Sequence, residues 1–417
     1  MDVLNAVHQH RCLHGVPPFE DFVHAPIAAH AQPYLMRVPS VFLPWDECDG
    51  IIAIRRKDKT LAVCRCGVVL AGTYVHINTP TQQTAVALKV MDRNQVALQK
   101  DDVESELRVM AQLQIKGVDG VLSNPHMVRW ESGEDLHNLY IATEFVANGS
   151  LVSYAHKKIR QLMVKHLQDF VAKHGEGPTK LECVSYVYRG AGHEWMREGI
   201  KIFEGIMRGL TYLHAHSVAH LDLDIYNVAI DKDLVPRIID LGSSQIVDHR
   251  GIAGAGHVGI KCKPIFVAPE VRSHAKLPPP RPGFNGSSAD LWSAGVIVSV
   301  WLVRVLVQCV VWGFRGGPSY LTSNPRWRKE VFTHIDQTCD QSACLLCQNF
   351  IVIPPLIGVI IKQLLHIDPK QRPSALDVAL ALGENRELNI FPPPAASVPR
   401  NGVRQLQEAT SLPASFG

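Results

Sequence analysis

Two acids and an asparagine in one short polar stretch carry the residue types that metal-assisted phosphoryl transfer requires. Asp222 and Asn227 lie five residues apart, and Asp240 follows thirteen residues later, after an apolar run. Transfer of a γ-phosphoryl group needs a carboxylate that orients the attacking hydroxyl and hard oxygen ligands that hold Mg²⁺ on the phosphates. Asp222 could do the first, and Asn227 and Asp240 the second. The competing interpretation is a solvated polar turn.

The surrounding residues predict a tight hairpin that would collect these side chains. Residues 227–230 and 237–239 are short β-prone runs, and Asp231-Lys232-Asp233 between them has turn composition. Pairing of the two runs would bring Asp222, Asn227 and Asp240 into one cleft.

Upstream of the hairpin lies a series of β-rich runs, at residues 51–54, 61–70, 73–77 and 84–90. They predict an antiparallel sheet. Gly67 and Gly72 bound a segment that we expect to bridge two strands, and Lys89 follows Gly72 by seventeen residues. A glycine hairpin can lay backbone N–H groups over phosphates, and the lysine would add a point charge. An ordinary turn is the default interpretation of two glycines alone.

Three segments show helical patterns. Residues 101–114 place apolar side chains at helical spacing, and residues 198–216 form a second amphipathic stretch. Residues 291–314 are long and apolar enough to suggest a membrane span. Arg304 near the middle favours a buried core helix instead.

Together these segments resemble the protein kinase superfamily over about residues 55–385. The hairpin region is similar to the catalytic and metal-binding loops of that family, and the matching residues are His220, Asp222, Leu223, Asn227, Asp240 and Gly242. Further resemblances occur in the family's order, at residues 67–72, 87–89, 106–113, 139–151, 268–270, 289–295 and 364–376.

The resemblance implies an α+β, bilobal protein kinase fold, with a small β-rich N-lobe that includes helix C and a larger, mainly helical C-lobe. The implied domains are an irregular leader at 1–54, the N-lobe at 55–148, the C-lobe at 149–387 and a disordered tail at 388–417. Two surface insertions are expected within the C-lobe, near 155–195 and 316–350. The first has a basic helix that we interpret as a solvated face.

The resemblance also implies the site and its cofactors, ATP and Mg²⁺. Asp222, Lys89, Asn227 and Asp240 would be catalytic, with Asn227 and Asp240 as metal ligands. Thr143 would lie beside the adenine pocket, and the backbone of Glu144 and Val146 would bond adenine. The remaining nucleotide contacts implied are Gly67, Val69, Gly72, Ala87 and Glu106.

Three structural pairings are implied as well. Glu106 would pair with Lys89, with Glu104 as the alternative. Asp290 would hold the backbone of the catalytic loop, and Arg372 would form a buried ion pair with Glu270.

Two departures from the family bear on mechanism. Leu221 replaces the arginine that docks a phosphorylated activation loop, so switching by loop phosphorylation is not expected unless it uses Ser243 or Ser244. Asp224 stands where serine/threonine kinases place a lysine, and Lys263 where they usually have a threonine. We hypothesise that these two charges form a pair that leaves Lys263 near the phosphate.

Composition limits the partners. The net charge of +3 over 417 residues is small and the basic residues are dispersed, so no nucleic-acid binding is expected. The ten cysteines lack paired spacing and the N-terminus lacks a signal-peptide pattern, which predicts reduced thiols and a cytoplasmic protein, with the nucleus as the alternative. Cys339, Cys344 and Cys347 lack the fourth ligand that a zinc site would need.

The leading functional prediction is a protein kinase that transfers the γ-phosphate of ATP to a protein hydroxyl, with serine or threonine as the default. The alternative is a pseudokinase, a nucleotide-binding or scaffold module with little or no catalysis. Two features would favour it: Asp224, and a glycine loop that has Val69 at the position of the family's middle glycine. A small-molecule kinase is disfavoured by Ala268-Pro269-Glu270 and Asp290-Leu291-Trp292, which resemble the peptide-binding C-lobe.

Overall fold

The computed structural model describes thirteen stretches of the chain: residues 40–41, 50–53, 60–64, 66–76, 83–99, 103–114, 124–128, 130–134, 138–174, 180–253, 262–278, 282–304 and 354–384. The chain divides into two compact units, residues 1–147 and residues 148–417. Within the described stretches, no helix has the length and apolar character needed to cross a membrane.

An antiparallel sheet forms the framework of the N-terminal unit. Its strands are β1 (Ser40–Val41), β2 (Gly50–Ala53), β3 (Thr60–Cys64), β4 (Gly67–His76), β5 (Gln83–Asp92), β6 (Trp130–Glu134) and β7 (Asn138–Glu144). The order across the sheet is β1-β2-β4-β5-β7-β6, and β3 also pairs with β4. Alternate side chains of β5, namely Val86, Leu88 and Val90, are fully buried. This alternation is the pattern of a sheet with one face on the core.

The sheet begins earlier than the expected N-lobe boundary at residue 55. Strand β2 pairs with residues 73–76 of β4, and β1 pairs with β2. These strands lie within the stretch assigned to an irregular leader, and the rest of that leader is outside the described residues.

Strand β4 corrects the predicted position of the glycine hairpin. We expected residues 67–72 to bridge two strands, but they form the first part of β4. Gly67 pairs with Met91 and Gly72 with Val86 in one continuous ladder, and the hairpin connects β3 to β4 just before Gly67. The apolar residues between Gly67 and Gly72 favour strand pairing, and Val68 and Leu70 are buried in this strand.

Two helices accompany the sheet, α1 (Arg93–Gln99) and α2 (Val103–Gln114). Helix α2 confirms the predicted helix, and Val103, Met110 and Leu113 from the predicted stripe are buried.

The C-terminal unit is mainly helical. Its helices are α3 (Leu151–His174), α4 (Lys180–Ala215), α5 (Pro269–Ala275), α6 (Gly286–Ile297), α7 (Pro355–Leu364) and α8 (Ala375–Glu384), with a 3₁₀ turn at Pro369–Gln371. Short strands pair antiparallel as β9 (Val228–Ile230) with β10 (Pro236–Ile238), β8 (Val218–Ala219) with β11 (Gln245–Ile246), and β12 (Ile252–Ala253) with β13 (Phe284–Asn285). The predicted α+β class is confirmed by these two units.

Helices α3 and α4 correct the interpretation of residues 155–195 as a surface insertion. The region extends two long helices that pack on each other, and α4 begins at Lys180 rather than at residue 198. Ile159, Leu162 and Phe170 recur at helical spacing on α3 and are buried. Basic residues between them also contact α4, because Lys158 pairs with Glu198 and Lys165 with Glu194.

The long apolar segment forms the core of the C-terminal unit. Helix α6 continues as a π-helix through Val298–Arg304, and residues 289–302 are all buried. The centre of the Trp301 ring lies 5.0 Å from that of the Trp195 ring on α4. The Trp301 Nε1–H donates to the Leu151 carbonyl oxygen at 2.9 Å. The prediction of a core helix is therefore confirmed for residues 291–302. Residues 305–353, including the three candidate zinc cysteines, lie outside the described stretches, as does the predicted tail.

Candidate active site

The predicted polar hairpin is present. Strands β9 and β10 pair antiparallel, with Val228 opposite Ile238. The Asp231 carboxylate closes the turn, because its Oδ1 accepts from the backbone N–H groups of Asp233 and Val235 at 2.9 Å each. The Ile239 N–H donates to the Asn227 carbonyl oxygen at 3.0 Å, which holds the end of β10 beside the loop that carries Asp222.

Asp222 and Asn227 are in direct contact. Asn227 Nδ2 donates to the Asp222 carbonyl oxygen at 2.8 Å and to Asp222 Oδ2 at 3.3 Å. The other carboxylate oxygen, Oδ1, is buried without a hydrogen-bond partner in the described part of the chain. A buried carboxylate oxygen whose lone pairs accept no hydrogen bond can accept a proton from a bound hydroxyl.

The surroundings of Asp222 raise the pKa of its carboxyl group to about 6. Burial is the largest cause, and the neighbouring carboxylates of Asp224 and Asp240 add to it, whereas His220 and Lys263 act in the opposite direction. Asp222 is therefore ionised at neutral pH but holds its proton at mildly acidic pH.

Asp240 follows β10 at a backbone φ of 61°. Aspartate is among the few residues other than glycine that adopt this left-handed region readily. Its Oδ1 accepts weakly from the Gly242 N–H at 3.3 Å, and the residue is exposed.

The donor set fits Mg²⁺ better than a transition metal. Asp240 offers carboxylate oxygen and Asn227 an amide Oδ1, both hard ligands, and Mg²⁺ commonly takes one or two protein ligands with phosphate and water completing its shell. No cluster of three or more His, Cys, Asp or Glu side chains suited to a metal occurs among the described residues, so a dedicated all-protein metal cage is absent from those stretches.

Asp290 holds the loop that precedes Asp222. Its carboxylate is fully buried and accepts from the backbone N–H groups of His220 and Leu221 at 2.7 and 2.8 Å. His214 Nε2 lies 3.0 Å from the same carboxylate. Leu221 has φ 61°, a strained conformation for a branched side chain. The predicted role of Asp290 in holding this backbone is confirmed.

The hypothesised pair of Asp224 and Lys263 is also confirmed. Lys263 Nζ donates to Asp224 Oδ2, and Asp224 has no exposed surface. Asp224 Oδ1 accepts from the Tyr226 and Asn227 N–H groups at 2.6 and 3.0 Å. Burial lowers the pKa of Lys263 and is the largest single influence, but the hydrogen bond and charge of Asp224, together with the charge of Asp222, raise the pKa above its ordinary value.

In the N-terminal unit, Lys89 pairs with Glu106. Lys89 Nζ donates to the two carboxylate oxygens of Glu106 at 2.8 and 3.2 Å, and the glutamate is buried while the lysine is partly exposed. Glu106 rather than Glu104 thus makes the predicted ion pair.

The strand register places other predicted nucleotide contacts on the face of Lys89. Val69 lies opposite Lys89, and Ala87 lies opposite Thr143. Since residues at i and i+2 of a strand share a face, these four side chains lie together on one half-buried surface. Glu144 ends β7, and Val146 follows it. Gly72 pairs with the fully buried Val86, so it lies on the opposite, core-facing side of the sheet and is not grouped with these four residues.

Two further contacts at this site were not indicated by any local sequence pattern. The buried Cys262 thiol lies against this carboxylate, and its pKa is raised by burial first and by Asp222 second. The Tyr226 ring lies 4.9 Å from Lys263 Nζ. Both contacts bring together residues from separate segments, so no local pattern could have revealed them.

Comparison with known proteins agrees with this geometry. A profile of the protein kinase domain matches residues 70–381. CBL-interacting protein kinase 17 of Oryza sativa subsp. japonica is 27% identical over 53% of this chain and 38% of its own length. CBL-interacting serine/threonine-protein kinase 8 of Arabidopsis thaliana is 26% identical over 56% of this chain and 42% of its own. Mitogen-activated protein kinase kinase kinase 20 of Arabidopsis thaliana is 28% identical over 46% of this chain and 43% of its own length. The chain thus spans about two fifths of the length of these relatives.

Proposed function

The chain belongs to the protein kinase family, and from this premise we propose that it transfers the γ-phosphoryl group of ATP to a serine or threonine hydroxyl of a protein. The observation that carries the proposal is the Asp222 carboxylate, which has one buried oxygen without a partner and the other in contact with Asn227. Serine and threonine are chosen over tyrosine because one of the similar proteins is named as a serine/threonine-protein kinase.

Asp222 would orient the substrate hydroxyl and accept its proton. Its pKa of about 6 leaves it ionised at neutral pH, yet closer to the operating pH than an exposed aspartate. Asp290 would keep the loop in register by bonding two consecutive N–H groups. Because these groups are fixed before substrate binds, little reorganisation is required during transfer.

Asn227 and Asp240 would hold Mg²⁺, which when bound neutralises charge on the phosphates. The orientation of the Asn227 side chain supports this role, since its Nδ2 donates to Asp222 and, among the described residues, no hydrogen bond occupies its Oδ1. In the N-terminal unit, Lys89 would contact the α- and β-phosphates, with Glu106 fixing its ammonium.

A pseudokinase without useful turnover is the alternative, and the buried acid at Asp224 is the feature that suggests it. We do not favour it, because Lys89, Glu106, Asp222, Asn227 and Asp240 are all present and two pairs of them are already in contact.

The test is transfer of labelled γ-phosphate from MgATP to generic protein substrates by the purified chain, beside its Asp222→Asn variant. We expect transfer by the natural chain and a loss of about 100-fold or more in the variant. Equal incorporation by both proteins would contradict the role of Asp222. No incorporation by the natural chain, with MgATP binding intact, would favour the pseudokinase.

A further inference from the structure

Negative charge is concentrated around Asp222. The Asp224 carboxylate accepts from the Asn227 backbone N–H, and the Asn227 side chain donates to the Asp222 carboxylate. A phosphoryl group that approaches this carboxylate would meet like charges, and uncompensated repulsion of that kind raises the barrier to transfer. Among the described residues, the cation that pairs with the Asp224 carboxylate is Lys263.

The Lys263 ammonium is held firmly on one side. It donates to Asp224, whose side chain is completely buried, and it lies 4.9 Å from the centre of the Tyr226 ring. Asp224 is itself fixed by the Tyr226 and Asn227 N–H groups. The anchor is therefore part of the same loop that carries Asp222.

The Lys263 side chain is also partly accessible. The side chain of Lys263 is 42% exposed, whereas its partner Asp224 is 0% exposed. A lysine ammonium has three N–H donors, and the bond to Asp224 uses one of them. The pair thus presents positive charge outward and keeps its negative charge inside.

We propose that Lys263 is a catalytic residue that donates from its ammonium to the transferring phosphoryl group, while Asp224 and Tyr226 hold it in place. The inference rests on the proposed function. In the step, the substrate hydroxyl oxygen forms a bond to the γ-phosphorus, the bond from that phosphorus to the bridging oxygen of ADP breaks, and the hydroxyl proton passes to Asp222. Lys263 keeps its proton throughout, in accord with its raised pKa.

Steady-state kinetics of three lysine variants provide the first test. We expect Lys263→Met to lower kcat by about 100-fold, while the KM for ATP changes by no more than about 3-fold, because the contact forms mainly during transfer. Lys263→Arg keeps the charge and should lie within about 10-fold of the natural chain. Lys232→Met, at an exposed lysine of the hairpin turn, is the matched control and should leave kcat unchanged. A kcat for Lys263→Met equal to that control would overturn the proposal.

Removal of Lys263 alone leaves Asp224 buried without its partner, and that variant could fail to fold. Asp224→Asn with Lys263→Met avoids the unpaired charge, because the asparagine Oδ1 can still accept from the Tyr226 and Asn227 N–H groups. The proposal requires this double variant to be folded and slow, and Asp224→Asn alone, which retains the lysine, to be at least about 10-fold faster. Equal rates for the two would show that the pair has only a structural role.

Binding separates this inference from the proposed function. The probe is MgADP with aluminium fluoride, which imitates the transferring phosphoryl group, measured by calorimetry on the full chain. We expect Lys263→Met to bind it at least about 10-fold more weakly than the natural chain does, with unchanged affinity for MgADP. If the natural chain transfers no phosphate but shows this difference, the proposed function fails and the phosphoryl contact of Lys263 stands. Equal affinity of the two proteins for the probe rejects the contact, whatever the natural chain transfers.

Discussion

Arg372 and Glu270, 102 residues apart in the chain, form a two-bond ion pair with N–O distances of 2.6 and 2.9 Å. The arginine side chain has no exposed surface, and it also donates to the Ser288 carbonyl oxygen at 2.7 Å. Its guanidinium lies 5.1 Å from the centre of the Trp292 ring. The pair thereby connects the start of α5, helix α6 and the segment before α8.

We predict that Arg372→Met destabilises the chain by about 3–5 kcal/mol, because it leaves Glu270 largely buried without its partner. Thermal and chemical unfolding measure the effect. Arg250→Met is the matched control, since its pair with Asp248 is exposed and should leave the melting temperature unchanged. Equal melting temperatures for the two variants would refute the structural importance of the buried pair.

Asp290→Asn should both destabilise the chain and slow transfer. The amide can accept only through its single oxygen and has no charge, so one of the His220 and Leu221 N–H bonds weakens or is lost. The expected cost is about 2–3 kcal/mol for a buried bond to a charged group. Calorimetry and kcat measure the two effects, with Asp233→Asn in the exposed hairpin turn as control. A variant that lost stability but kept its kcat would show that the loop does not depend on Asp290 for its active geometry.

Lys89→Met should lower kcat/KM for ATP by about 100-fold, because the proposed function assigns this lysine a contact with the phosphates. Glu106→Gln should have a smaller effect, about 10-fold, since the lysine stays charged but its partner does not. Arg108→Met, on the exposed side of α2, is the control. Steady-state kinetics at varied ATP concentration distinguish these cases. If Glu106→Gln behaves like Arg108→Met, the ion pair has no role in ATP use.

The raised pKa of Asp222 predicts that its ionisation opposes folding. The folded-state pKa is about 6, above the ordinary 3.8, so the folded chain holds this proton at pH values where the unfolded chain has lost it. The stability contributed by Asp222 is therefore present below about pH 4 and is lost as the pH rises through about 6. Asp222→Asn should raise the free energy of unfolding at pH 8 by about 1–3 kcal/mol and change it little at pH 4.

Urea unfolding without Mg²⁺ at several pH values measures this difference, and Asp233→Asn again serves as control. A stability gain that is the same at pH 4 and pH 8 would mean that the effect of Asp222→Asn does not come from ionisation. Catalytic activity should change with pH in the direction opposite to stability. The value of kcat/KM should rise as the pH increases through about 6, because the proposed reaction requires the ionised Asp222 carboxylate.

The sequence alone determined the features that depend on neighbours along the chain. The hairpin from Asn227 to Asp240 was predictable because turn composition and short β-prone runs act within a few residues. Helix α2 was predictable from its apolar spacing, and the core character of residues 291–302 from their composition and Arg304. The resemblance to protein kinases added the long-range pairs of Arg372 with Glu270 and of Lys89 with Glu106.

Only the tertiary structure decided the features that depend on packing between distant segments. Strand pairing continued β4 through Gly67, where an added Cβ would lie 1.8 Å from the Val90 carbonyl oxygen, so this glycine serves a close approach of two strands. The mutual packing of α3 and α4 turned an expected insertion into core. Burial, together with Asp224, Asp240, Lys263 and His220, set the pKa of Asp222. The burial of Asp222 and its distances to charged neighbours cannot be predicted from the spacing of residues along the chain. Both depend on how segments that are far apart in the sequence pack together and exclude water.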